Sequence, residues 1–272
     1  MENSNSTTKK DWNNFLFNEI LVSIFTSLNV VDLAVASLVC KSWNRACRDP
    51  SLWHKLDLSR MSSYCLNIPN DYHAWNDKDS STKMTQFLKT PNLKRLVLPM
   101  TGFLTMGGVN RAMKSWGGLE SITISAMVPN SYIFSAIGKY CKNITEMKFS
   151  CEFEEDHADA IIEHTPNLKV LSIRTIIVSM KALRRVLTSL EHLEAVNICH
   201  SLIINKSHRG SRVVVYGIGD LRKHFPSSCL GKLIFCEGRR CLRCKRRDTT
   251  PSRRYGCHDD IWRQDEITSL AH

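Results

Sequence analysis

Two periodicities divide the chain. In the first, apolar residues recur every fourth position: Leu16, Ile20, Ile24 and Leu28 fall along one face of a helix, and Leu21 and Phe25 widen that stripe. A second helix is predicted to start at Asp32, a good N-cap, and to carry Leu33, Ala36, Val39, Cys40 and Trp43 inward. Asp49-Pro50 breaks it, and Ser51-Leu52-Trp53 opens the next element. A unit of about 40 residues cannot usually bury enough apolar surface to stand alone, so this one is expected to expose an apolar face until a partner covers it.

The second periodicity is longer. Units of the form apolar-x-x-apolar-x-apolar begin at Leu93, Leu119, Ile144, Leu168 and Leu193, 24 to 26 residues apart. The last two apolar positions of each unit alternate, as a short strand with one buried face requires. Helices are predicted between them, at Val109 to Trp116, Tyr132 to Cys141, Ala158 to His164 and Met180 to Leu190. One such unit cannot bury its own apolar side, so the units must stack into a curved solenoid, parallel strands inside and helices outside. The expected fold class is therefore α/β. A sixth unit, Leu230-x-x-Leu233-x-Phe235, follows after 37 residues, with Asn205 to Arg212 read as a polar loop and Asp220 to Phe225 as its helix. Leu56-Asp57-Leu58 is expected as the first, capping strand. Residues 59–82 read as an insertion, and Met84 to Leu88 as a short helix. The inner strand positions expected to face a ligand are Lys94, Arg95, Val97, Thr123, Glu146, Lys148, Lys169, Ser172 and Asn197, which are mixed in charge.

The helical stretch resembles the F-box. The matching residues are Leu16, Glu19-Ile20, Ile24-Phe25, Leu28, Asp32-Leu33, Val39-Cys40-Lys41, Trp43 and Leu52-Trp53. The family's usual proline after the first leucine is Phe17 here; proline pre-sets a first helical turn, so a looser turn and a lower adaptor affinity are expected. The repeat period is in the leucine-rich-repeat range. Cys141, three residues before Ile144, is similar to the cysteine-containing repeats found behind F-boxes, although Thr90, Trp116, Thr165 and Leu190 occupy that place in the other units. The order of F-box, short repeat array and a closing Asp-x-Trp-Arg-x-Asp-Glu resembles plant F-box/leucine-rich-repeat proteins.

That resemblance implies a substrate receptor of an SCF-type cullin–RING ubiquitin ligase. The F-box would bind a Skp-family adaptor, and through it the cullin. Its contact residues would be Leu16, Phe17, Ile20, Leu21, Ile24, Phe25, Leu28, Leu33, Val39, Trp43, Leu52 and Trp53. The repeats would hold a protein target that the sequence does not name. Such a chain is not an enzyme, because the ligase chemistry sits on other subunits, and it calls for no cofactor. The expected layout is a disordered N-terminus (1–10), the F-box (11–57), the repeats (58–235) and a Cys/Arg-rich tail or cap (236–272).

Charge changes this picture locally. Of the net +11, residues 239–254 supply eight cations against the single acid Asp248, so the body is only mildly basic. That cluster reads as a nuclear-import signal, a phosphate-binding patch or solvated surface. Nucleic acid is not the expected partner, since no aromatic residues interleave with the arginines. Cys236, Cys241, Cys244 and Cys257 are weak zinc candidates. Cys241-x-x-Cys244 has ligand spacing, but Cys257 and His258 are adjacent, and a thiol-bearing cap is the preferred reading. No run approaches the roughly 20 apolar residues needed to cross a bilayer. The first ten residues are polar and unlike a signal peptide, so the expected location is the nucleus, the cytoplasm or both. The eleven cysteines are expected as thiols. Gly107-Gly108 and Gly117-Gly118 are expected in repeat turns, and the acids Glu152 to Asp156 suit the start of a helix. The histidines sit in no nucleophile or metalloprotease motif. Two other readings stay open: a repeat scaffold whose helical end is only a cap, and a nuclear nucleic-acid-binding factor led by the tail.

Overall fold

The apolar triplets become the strands of one parallel sheet. A computed structural model describes residues 17–57, 92–98, 106–124, 131–206 and 213–236. The strands are β1 (Lys55–Asp57), β2 (Arg95–Val97), β3 (Ser121–Ile124), β4 (Glu146–Phe149), β5 (Val170–Ser172), β7 (Ala195–Asn197) and β10 (Leu233–Ile234), side by side in that order. The register aligns the middle apolar residue of every unit: Leu56, Leu96, Ile122, Met147, Leu171, Val196 and Leu233 form one buried row. The first residues of the triplets, Leu93, Leu119, Ile144, Leu168 and Leu193, form a second buried row. Adjacent units are also joined at the strand entrances. The carbonyls of His54, Lys94, Glu120, Thr145 and Lys169 each accept two consecutive N–H groups of the next unit.

Helices return the chain across one side of the sheet. They are α4 (Met106–Ser115), α5 (Ser131–Tyr140), α6 (Glu155–His164), α7 (Met180–Ser189), α8 (Ile218–His224) and the single turn α9 (Ser227–Leu230). Each of the four expected helices is found; the first three start one to three residues earlier than expected, and the fourth starts at Met180 as expected. Gly107 and Gly108 lie inside α4 rather than in a turn, whereas Gly117 and Gly118 are in one. Helices α5 and α6 approach closely at Gly138, where a Cβ would sit 2.9 Å from both the Cβ and the carbonyl oxygen of His164.

A second, three-stranded sheet departs from the repeat pattern. It contains β6 (Ile177–Ser179), β8 (Leu202–Lys206) and β9 (Val213–Tyr216), in the order β6-β8-β9. β6 and β8 are parallel, and β8 and β9 antiparallel. The expected loop from Asn205 is therefore corrected in part: Asn205 and Lys206 belong to a strand, and the 37-residue step holds a hairpin and a helix. Thr175 and His200, one repeat apart, both take positive φ (63° each) at the turns where β5 and β7 leave the main sheet. The capping strand expected at Leu56-Asp57-Leu58 is found as β1, which begins at Lys55 and is the first strand of the sheet. The insertion at 59–82 and the helix at 84–88 lie outside the described residues.

At the N-terminal end, residues 17–25 form helix α1, followed by α2 (Val30–Ala36), α3 (Lys41–Ala46) and a 3-10 turn (Pro50–Trp53). The single helix expected from Asp32 is two helices. Its N-cap is Asn29, whose Oδ1 accepts the Asp32 N–H at 3.0 Å. Tight turns after Ala36 and the extended backbone of Cys40 separate α2 from α3. The Asn44 Nδ2 donates to the Ser37 carbonyl at 2.9 Å and holds the two together.

Candidate functional site

The three N-terminal helices enclose a small core of their own. Leu21 and Phe25 from α1, Leu33 and Ala36 from α2, Ala46 and Cys47 at the end of α3, and Leu52 from the 3-10 turn are buried together. Trp43 packs edge-on against Phe25, ring centroids 5.2 Å apart. The 3-10 turn is fixed by Asp49, whose carboxylate accepts the Ser51 hydroxyl at 2.7 Å and the Ser51 N–H at 3.0 Å. These bonds hold the Asp49 carboxyl below its ordinary value.

This core divides the expected contact residues. Leu21, Phe25, Leu33 and Leu52 are buried inside the unit, with 2% to 9% of their surface exposed in the free chain. Trp43, Leu28 and Trp53 are half-buried. Phe17, Ile20, Ile24 and Val39 are exposed, and Val35 and Leu38, which the pattern did not single out, join them. These six side chains keep between 52% and 65% of their surface in solvent. Val39 and Cys40 point outward because α2 stops at Ala36, not because their spacing is wrong for a longer helix. Leu16 lies outside the described residues. Six apolar residues crowd α1, so it has two apolar faces: Leu21 and Phe25, with half-buried Val22, on the inner one, and Phe17, Ile20 and Ile24, spaced i, i+3 and i+7, on the outer one.

Trp53 connects this unit to the sheet. Its ring packs against the small core and against the repeat core, and its Nε1 donates to the Cys47 carbonyl at 2.9 Å. Val30 of α2 is also part of the repeat core.

The inner strand positions differ from expectation. Val97, Thr123, Lys148, Ser172 and Asn197 stand in one register row, and all are buried, Lys148 to 1% exposure. At the strand entrances, Lys94 pairs with Glu120 (2.6 Å), Lys169 with Glu194 (3.0 Å) and Arg95 with Glu146 (3.8 Å). Charges expected to read a ligand are thus used between repeats, with Arg95 and Glu146 pairing across the intervening β3.

Sequence reading missed one buried polar cluster. His157 caps the start of α6: its Nδ1 accepts the Glu154 N–H at 3.3 Å, and Nε2 lies 3.9 Å from the Cys151 sulfur. Phe149 and Phe153 pack against the imidazole. Burial pushes the Cys151 thiol up to about 12 and His157 below its ordinary value. Both therefore stay neutral at pH 7, the reverse of what a thiolate–imidazolium nucleophile needs. Cys141, buried against Met113 and Trp116, is likewise pushed up to about 11 and serves as packing. Among the described residues no cluster of His, Cys, Asp and Glu is placed to hold a metal ion. Cys236 is a half-buried thiol, and Cys241, Cys244, Cys257 and the arginine cluster lie outside the described residues. No described helix is long and apolar enough to cross a membrane.

Residues 18–59, which hold the three helices and β1, match the F-box-like family. An F-box/LRR-repeat protein of Arabidopsis thaliana is 30% identical over 290 residues, covering 93% of this chain and 94% of that protein. The chain belongs to the F-box/LRR-repeat family. A putative F-box/LRR-repeat protein 23 of the same plant is 27% identical over 74% of the chain and 48% of its own length. A putative F-box protein, also from Arabidopsis thaliana, is 23% identical over 93% and 94%. The F-box of this chain is the unit whose outer apolar face stands open, and its LRR sheet is the seven-stranded parallel one.

Proposed function

We propose that this F-box/LRR protein is the substrate-receiving subunit of an SCF-type ubiquitin ligase. It would grip a Skp-family adaptor, and through it a cullin, with the F-box, and hold a target protein with the repeat domain. The observation that carries this is the outer face made by Phe17, Ile20, Ile24, Val35, Leu38 and Val39. The F-box core is already complete without them, so they have no internal role to fill. Covering each would contribute about 1–2 kcal/mol, enough for a few anchors to decide affinity. Trp43 and Trp53, both half-buried, pack against the F-box core.

In this reading the chain performs no chemistry; it raises the local concentration of target lysines beside a charged ubiquitin carrier. Its site of action would be where cullin complexes work, the nucleus, the cytoplasm or both. The reading also keeps the division into F-box (11–57), repeats (58–235) and tail (236–272), with β1 shared between the first two.

Adaptor capture is the test. Ile20→Asp with Ile24→Asp places two charges on the outer face, where neither side chain is needed for folding. Capture of a purified Skp-family adaptor should fall at least about 100-fold, the loss of two central anchors, while the thermal unfolding of the repeats is unchanged. Undiminished capture would return the F-box to the role of a solenoid cap.

A further inference from the structure

The repeat domain's open apolar surface is not on its inner strand row, which is buried, but on the hairpin that interrupts the repeats. The base of that hairpin is packed. Ile203 and Ile204 of β8 are buried, and Tyr216 at the end of β9 packs on the repeat core with the His224 ring edge-on at 5.3 Å. Beyond this base β9 is exposed: Val214 and Val215 keep 50% and 55% of their surface in solvent. Consecutive strand residues point to opposite faces, so β9 is uncovered on both. β8 pairs with one of its edges, and among the described residues no strand pairs with the other. Edge strands are normally guarded by a lysine, a proline or a bulge. Val213-Val214-Val215-Tyr216 has no charged residue and no proline.

Cations outnumber acids in the segments that flank this edge; the nearest acid after β9 in the chain, Asp220, accepts the Gly217 N–H and pairs with Lys223. Residues 195–219 contain no Asp or Glu, while Lys206 ends β8 and Arg209 and Arg212 follow it in the chain before β9. Arg222 and Lys223 are exposed on α8, which follows directly. A second copy pairing here would bring two basic hairpins together. An acidic strand would meet opposite charge.

We propose that β9 is the target-docking edge: an extended target segment with alternating apolar and acidic residues adds to β9 as a fourth strand. Backbone hydrogen bonds would supply the affinity, the valines the apolar contact and the basic surroundings the preference for acids. This rests on the receptor reading for its biological meaning, and can be tested apart from it.

The experiment uses the full chain bound to its adaptor and a fluorescent heptapeptide, Val-Glu-Val-Glu-Val-Glu-Val, read by anisotropy. The peptide should bind more weakly as salt rises, because the preference is electrostatic. Alternate N-methylation removes its pairing donors and should weaken binding about ten-fold or more. Replacing its Glu by Lys should do the same. The chain carrying Val214→Glu and Val215→Glu, both exposed positions, should lose at least about ten-fold in affinity and capture adaptor normally. Of the single variants Val214→Pro and Val215→Pro, one removes only an outward N–H, because antiparallel neighbours alternate in direction. That variant should weaken the peptide and leave the melting temperature unchanged. Equal binding of the N-methylated or the Lys peptide, no binding at all, or dimers that vanish in the double Glu variant would overturn the proposal. Adaptor capture that fails while peptide binding holds would remove the receptor reading and leave the docking edge in place.

Discussion

The F-box and the repeat sheet treat their side chains in opposite ways. The F-box completes a core from seven buried residues and leaves six large apolar side chains in solvent. The repeat sheet buries its apolar rows fully and draws in polar groups as well, among them Ser172, Asn197 and Lys148. Burying a charge is costly without compensation, and exposing isoleucine next to a finished core gives the free chain nothing. The first unit is therefore shaped for a surface it does not contain, and the second mainly for its own repeats.

The largest effect should come from exchanging inner for outer positions on α1. Phe25→Ala empties the F-box core and should cost about 3–5 kcal/mol, unfolding that unit and abolishing adaptor capture. Its neighbour Ile24→Ala should change stability by less than about 0.5 kcal/mol and still weaken capture. Chemical denaturation and a pull-down on the two single variants would separate the faces; equal stability losses would show that the division is wrong. A smaller loss is expected in the repeats from Gly138→Ala. The added methyl meets the backbone of His164, which cannot rotate away, and should destabilise by about 1–3 kcal/mol without touching adaptor affinity.

Acid should weaken the repeats next. The folded-state pKa of His157 lies below that of the unfolded chain, so the unfolded state takes up the proton first. Its contribution is present at neutral pH and is lost as pH falls below the ordinary imidazole value. Melting temperatures at pH 7.5 and 5.5 should differ less in His157→Gln than in the wild type. The smallest effect belongs to the exposed Lys169–Glu194 pair. Glu194→Gln should cost no more than about 0.5 kcal/mol in a thermal melt, and a larger loss would mean that such pairs hold the repeats together.

The parts of this structure that were legible in the sequence are those where each unit must meet the same local demand. Every repeat needs three apolar residues at fixed spacing, so the seven-stranded sheet and its register follow from the triplets beginning at Leu93. Which face of α1 is inside was not legible. Ile20 and Ile24 are as apolar as Leu21 and Phe25, and only the positions of α2 and α3 decide between them. The end of α2 at Ala36 was hidden for a similar reason, since Val39 and Trp43 keep helical spacing across the break. The second sheet was hidden because Ile177-Val178 runs directly into α7 and pairs with residues 25 positions away. Val213 to Val215 lack the alternation that marks a half-buried strand, which is what exposure on both faces predicts. The inner row misled because spacing identifies a position and does not say whether it is open.

Trp53 gives the two regions a shared stake. One indole fills part of each core, and its N–H is tied back to Cys47. A target seated on the repeats would then be carried at a set distance and angle from whatever holds the F-box, as on a bracket and not on a tether. In the proposed receptor role, only lysines within that reach would be modified, and a smaller residue at 53 should blur the choice of lysine before it weakens either grip.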